Sequence, residues 1–241
     1  VKFILPTWPA AKHVHALTTT REGGVSQPPY DSLNVGIHVE DDLNAVQQNR
    51  SLITQHAELP SEPVWLTQLN ENKVVQADAP ETREADGAYT NKSRIVCCIM
   101  TADCLPVFIC DQEGTEIAVL HGGWHGLASG VIANGLQFFH AKKQELLVWL
   151  GPTISQKHFE VGEEVRDCFL KLDSKLHTEF QPSKPGHFFA DLSGIATHLL
   201  YEEGITQVFD SKQCTYAHPE LFYSYRKDGI TGRIANLLWL G

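Results

Sequence analysis

Three short apolar runs follow one another between residues 95 and 120, and they constrain the fold more than any other feature of the chain. They are Ile95-Val96-Cys97-Cys98-Ile99-Met100, then Pro106-Val107-Phe108-Ile109-Cys110, then Glu116-Ile117-Ala118-Val119-Leu120. Runs this short, rich in Val and Ile and bounded by Gly, Asp and Pro, read as buried neighbouring strands. The turn after the first run carries Thr101-Ala102-Asp103-Cys104-Leu105, and the third run delivers His121-Gly122-Gly123-Trp124-His125-Gly126. A thiol and an imidazole thus arrive at strand ends, where loops set their surroundings. Those two side chains make either a soft metal site or a thiolate nucleophile with its base.

Around this centre the chain alternates strands and helices. Residues 14–20 read as a β-branched strand, and Arg21-Glu22-Gly23-Gly24 as a turn whose amides are free to approach a ligand. Asp41 or Asp42 caps a helix expected from Leu43 to His56. Short strands are expected at 64–66 and 74–75, one helix from Trp124 to about His140, and a strand from Glu145 to Leu150. Helices follow at 162–171 and 191–202, then strands at 207–209 and 234–240. No repeat or linker interrupts the series, which gives one α+β domain over residues 1–241, with mixed β-sheets flanked by helices.

Charge narrows the partners. A formal charge of -10 argues against a broad nucleic-acid surface, yet leaves room for a small anion held by one or two arginines. No apolar run approaches the ~20 residues of a membrane helix. The six cysteines lack C-x-x-C spacing, so reduced thiols in a cytoplasmic protein are expected. Cys97, Cys98 and Cys110 read as core, whereas Cys104 stands beside Asp103 at a turn.

Other constellations are weaker. His56-Ala57-Glu58 matches half of a zinc deaminase signature, without the P-C-x-x-C partner. His13-Val14-His15 is the lone H-x-H pair, too little for a multicopper centre. Neither Gly23-Gly24 nor Gly122-Gly123 fits a Walker or Rossmann pattern.

Several motifs together resemble a known family. They are Thr19 to Ser26, Ser32-Leu33-Asn34-Val35-Gly36, Asn49-Arg50, Met100 to Val107, His121-Gly122-Gly123-Trp124, Trp149-Leu150-Gly151-Pro152 and Ser224-Tyr225-Arg226. In one register from about residue 3 onward, the chain resembles the laccase-domain family, also called multicopper polyphenol oxidase-like or YfiH-type purine nucleoside phosphorylase. The resemblance implies an α+β fold similar to the catalytic domain of a cytotoxic necrotizing factor. It implies phosphorolysis of adenosine, inosine, guanosine and methylthioadenosine, and deamination of adenosine. It also implies zinc held by a His, a Cys and a second His, with copper as the alternative metal.

Carried onto this chain, the Cys is Cys104 and the second His is His121. The first His belongs to a Q-V-H-G segment that here reads Gln68-Leu69-Asn70-Glu71, so Asn70 takes the ligand position. The family's H-A-G-W-R-G arginine is His125 here. Both changes bear on activity. Three arrangements stay open: zinc on two residues and water, His125 as replacement ligand, or an inactive nucleoside-binding protein. A metal-free Cys104/His121 hydrolase is a further alternative. For the reaction itself, Arg21, Arg226 and the amides near Gly23-Gly24 are expected on phosphate, with His125 near substrate and Asp103 or Asp86 as proton carrier. The partners are then a purine nucleoside and phosphate, acting on a monomer or weak homo-oligomer.

Overall fold

The computed structural model describes residues 1–80 and 82–241. In chain order the elements are β1 (Phe3–Ile4), β2 (Val14–Thr19), α1 (Leu43–His56), β3 (Val74–Gln76) and β4 (Gly87–Thr90). The central trio follows as β5 (Cys97–Thr101), β6 (Leu105–Asp111) and β7 (Ile117–Gly122). Next come α2 (Trp124–Ser129), α3 (Val131–Leu136), β8 (Leu146–Leu150), β9 (Glu160–Gly162) and α4 (Glu163–Leu172). The chain ends with β10 (Phe180–Pro182), β11 (His187–Ala190), α5 (Leu192–Glu202), β12 (Gln207–Asp210), α6 (Tyr225–Asp228) and β13 (Ile234–Leu240).

Two larger sheets carry the molecule. One has the order β12-β8-β6-β7-β4-β3 and is mixed, because β12 and β3 pair in parallel while the inner pairs are antiparallel. The other has the order β1-β2-β13-β5 and is antiparallel throughout. A small sheet, β10-β11-β9, stands apart from both.

Side-chain alternation stacks these sheets. Successive strand residues point to opposite faces. In β5, Cys97 and Ile99 join Phe108, Val119 and Trp149 in the layer between the two large sheets. Cys98 and Met100 point the other way, joining Ile53 of α1 and Leu237 of β13. In the six-stranded sheet, Val107, Ile109 and Leu120 turn outward against α3, α4 and α5. The order of layers is therefore helix, sheet, sheet, helices. That explains why the central strands are apolar on both faces, as runs rather than alternations. Cys97, Cys98 and Cys110 are fully buried packing residues, and all six cysteines are free.

α1 runs over the expected residues, and Asp42 caps it by accepting from the Asn44 amide. The helix expected from Trp124 to His140 is instead two short helices. The chain breaks at Gly130, whose φ of 93° ends α2 in a left-handed turn. Among the described residues no helix is long and apolar enough to cross a membrane.

Candidate active site

His121 follows Leu120 on β7, so its ring turns into the layer between the sheets, at the layer's open end. It is 5% exposed. Its Nδ1 lies 2.8 Å from Oδ1 of Asp86, a fully buried carboxylate just before β4. The Cys104 sulfur lies close enough to act on the same ring. Burial opposes protonation of this ring. The Cys104 sulfur and the Asp86 carboxylate outweigh it and push the His121 pKa up to about 9 when no metal is bound.

Cys104 sits on the turn between β5 and β6, and Asp103 shapes that turn. Asp103 has a φ of 94°, costly for a residue with a Cβ. Hydrogen bonds hold it there. Its carboxylate accepts from Thr215 Oγ1 at 2.6 Å and from the Arg226 amide at 2.7 Å. Its carbonyl accepts from Thr153 Oγ1 at 2.6 Å and from the Ile154 amide at 3.0 Å. Both carboxylate oxygens are thus engaged in the scaffold. Asp103, the expected proton carrier, is in this way tied into the turn that carries Cys104. Asp86, the other expected proton carrier, is fully buried and accepts from four donors, the His121 ring among them.

The third arm is the Leu69–Glu71 turn. Asn70 adopts a φ of 59°, a conformation Asn tolerates better than most residues. Gly123 shows where its side chain goes. A Cβ built there would lie 3.2 Å from Cys104 Sγ, 3.6 Å from Asn70 Oδ1 and 3.6 Å from His121 Cε1. The sulfur, the amide oxygen and the ring therefore surround one small hollow. It opens into a cavity of about 530 Å³ lined also by His38, Gln68, Met100, Trp124, His125, Tyr225 and Arg233.

Donor chemistry suits a borderline-soft divalent ion. A thiolate and an imidazole nitrogen are zinc ligands, and metal-bound histidines usually donate their other nitrogen to a carboxylate, as His121 does to Asp86. Asn70 adds a harder and weaker oxygen. Elsewhere, the ligand atoms of Asp173, His198 and Glu202 lie within 4.8 Å of one another. Two of those groups pair with each other, His198 Nε2 lying 2.8 Å from Asp173, and the third pairs with Lys175 Nζ, 3.3 Å from Glu202.

The cations differ from expectation. Arg21 donates to the carbonyls of Asp31 and Pro219 and pairs with Asp31 at 3.3 Å. Arg226 donates to the Glu160 carbonyl and lies over the Phe159 ring. Neither lines the cavity. The Gly24 and Val25 amides are taken by Ser32 Oγ and Asn49 Oδ1. Arg233 does line the cavity, forms no ion pair among the described residues, and donates to the carbonyls of Thr231 and Gly232. Arg50 stands behind it on the Trp65 ring, 3.9 Å from the centroid, donating to the Val35 carbonyl. Desolvation, then the charges of Arg233 and Arg50, hold the His38 imidazole below its ordinary pKa.

His125 lines the cavity stacked on Trp124, ring centroids 3.5 Å apart. His38 and Arg233 escaped the sequence reading. The one available signal for His38 was its place two residues after the Ser32–Gly36 motif. His56 lies on the exposed last turn of α1 with Nδ1 against the Leu52 carbonyl and does not line the cavity.

Comparison with known proteins agrees with this architecture. A family model described as multi-copper polyphenol oxidoreductase laccase matches residues 15–241. The chain is 43% identical over 241 residues to the purine nucleoside phosphorylase YfiH of Shigella flexneri, covering 99% of each. It is 45% identical over 239 residues to a purine nucleoside phosphorylase of Pseudomonas aeruginosa, covering 99% of this chain and 98% of the relative. A crystal structure from Neisseria meningitidis superposes with a TM-score of 0.96 at 41% identity, over 100% of this chain and 99% of that one. YlmD from Geobacillus stearothermophilus gives 0.92 at 25% identity, over 100% and 96%. The expected family and α+β fold are both met, and the chain belongs to the multi-copper polyphenol oxidoreductase laccase family.

Proposed function

We propose that this protein is a zinc-dependent purine nucleoside phosphorylase, acting on adenosine, inosine, guanosine and methylthioadenosine and also deaminating adenosine. The observation that carries the reading is the Asp86–His121–Cys104 chain, whose last two members line the cavity. The names of its relatives support it. Zinc would be held by Cys104 and His121 with Asn70 as third donor; when bound it supplies a Lewis acid that polarises oxygen.

The chain's own residues do the rest. In phosphorolysis a phosphate oxygen bonds to ribose C1′ while the C1′–N9 bond breaks. The electron pair leaves with the purine, which takes a proton, and ribose 1-phosphate remains. Positive charge builds on the ribose in the transition state, as in glycoside cleavage. Arg233 and His38 hold the phosphate, replacing the expected Arg21 and Arg226. A guanidinium without an acidic partner, facing a cavity, suits a bound dianion. The Trp124–His125 stack and Tyr225 offer flat faces to a purine. Deamination replaces the amino group at purine C6 by an oxygen from water, and ammonia leaves. Six free thiols fit a cytoplasmic, reducing setting, and the working unit is a monomer or weak homo-oligomer.

The test is product analysis with inosine and adenosine, with and without phosphate, on protein of measured zinc content. Phosphate-dependent release of free base, lost in Cys104→Ala and His121→Ala, is expected. A second reading has an observation of its own. Asp86, His121 and Cys104 are ordered as orienter, base and nucleophile, the arrangement of a cysteine hydrolase. Activity that resists chelation but is abolished by thiol alkylation would establish that reading instead.

A further inference from the structure

The geometry points to Asp86 as the positioning residue that holds two arms of the site at once, the His121 ring and the Asn70 turn. Its Oδ1 accepts from His121 Nδ1 at 2.8 Å and from the Asn70 amide at 3.0 Å. Its Oδ2 accepts from the Leu69 amide at 3.1 Å and the Glu71 amide at 2.8 Å. Four donors therefore converge on one buried carboxylate, two on each oxygen. The backbone locks the same parts together, because the His121 amide donates to the Asp86 carbonyl at 2.8 Å and the Asp86 amide to the Lys73 carbonyl at 2.9 Å.

This count explains why the residue is an aspartate. An asparagine has one acceptor oxygen and one NH₂ group. Whichever way its amide faces, two N–H donors of the protein meet two more N–H bonds. On one orientation the Leu69–Glu71 turn loses its anchor. On the other, the His121 ring and the Asn70 amide lose theirs. The carboxylate also fixes a proton on Nδ1, so that the other nitrogen is the one that can bind a metal when the ring is neutral. Three amides on a single carboxylate hold Asn70 in its left-handed conformation and keep its side chain at the hollow beside Gly123.

The role rests on Cys104 and His121 being the working pair, and it is the same for phosphorylase and hydrolase. The experiment compares the full-length protein with Asp86→Asn. Two readouts are used: zinc affinity, by competition with a chromophoric chelator, and hydrogen exchange of the Leu69, Asn70 and Glu71 amides. The expected results are a 10–100-fold loss of zinc affinity, the range for outer-shell partners of a ligating histidine, and faster exchange at those three amides. Unchanged affinity together with unchanged exchange would overturn the assignment. Should Asp86→Asn fail to fold, the wild type still decides. Long-range ¹⁵N correlation at a pH where the ring is neutral must show the proton on Nδ1 of His121, and a proton on the other nitrogen overturns the claim. These readouts hold even if no nucleoside is turned over, and if zinc does not bind, exchange and the ring proton decide.

Discussion

Gly123 presses against Cys104 so closely that a methyl group there would sit 3.2 Å from the sulfur. The Gly123 backbone, at φ -65° and ψ 158°, is open to any residue. Gly123→Ala should therefore fold with a stability change within about 1 kcal/mol, since it adds no strained backbone. The added methyl fills the hollow among Cys104, Asn70 and His121. Zinc affinity and turnover are expected to fall at least about tenfold while the melting temperature moves little. Calorimetry beside a metal titration checks both halves.

Asn70→His restores the imidazole that the related Q-V-H-G segment implies. Histidine tolerates the left-handed backbone at 70 nearly as well as asparagine does. Replacing an amide oxygen by a nitrogen ligand should raise zinc affinity by roughly 100-fold or more, because even outer-shell partners are worth 10–100-fold. Phosphorolysis should rise with it. Unaltered zinc content in the variant would mean that another group, His125 foremost, already serves as the third ligand.

The choice among arginines is open to direct measurement. Arg233→Ala should raise the KM for phosphate about 10–100-fold, the loss of one charge-assisted hydrogen-bonding partner worth about 1.5–3 kcal/mol. Arg21→Ala and Arg226→Ala should change that KM by less than about threefold, since their guanidinium groups bond to carbonyls outside the cavity. Steady-state kinetics with varied phosphate separates the three variants.

Acid should weaken the fold at Glu116. This buried carboxylate accepts from Tyr89 Oη and His140 Nδ1, both at 2.7 Å, and from the His140 and Ala141 amides. Burial alone would raise its pKa, but those hydrogen bonds outweigh it and hold it below the ordinary 4.5. A depressed folded pKa means stabilisation that is complete well above 4.5 and disappears as pH falls through the folded value. Glu116→Gln is expected to cost about 2 kcal/mol near neutrality, and its gap from wild type should close in acid. Denaturant titrations at pH 7 and below pH 4 measure the gap. A constant difference across that range would remove Glu116 from the account.

The inter-sheet layer should be sensitive to volume. Phe108 is fully buried against Trp149, with ring centroids 4.8 Å apart. Phe108→Ala is expected to cost about 3–5 kcal/mol, from lost transfer energy and the cavity left behind. Chemical denaturation of the variant gives the figure.

How much of this was legible beforehand depended on whether local chemistry carried the signal. α1 was readable to the residue, because Asp42 caps it and the apolar positions recur on one side. The break at Gly130 was not, since a glycine inside a helical pattern looks the same whether or not its φ is positive. Strands β9, β10 and β11 are three or four residues long, too short for any period to show. At the site, Cys104 and His121 stood out by residue type. The work of Asp86 did not, because three of its four partners are backbone amides that every residue possesses. The bonding of Arg21 and Arg226 was equally hidden: a guanidinium satisfied by carbonyls looks, in sequence, like one waiting for an anion.

The place of β13 between β2 and β5 has a consequence for biosynthesis. Residues 14–19 and 97–101 emerge from the ribosome early, yet neither contacts the other through the sheet until residues 234–240 slot between them. The six-stranded sheet has all its strands once residue 210 is out, whereas its partner sheet stays split in two until residues 234–240 follow. During translation the β2 and β5 sides of this sheet therefore stay unjoined after the six-stranded sheet can form, and the seven residues of β13 connect them.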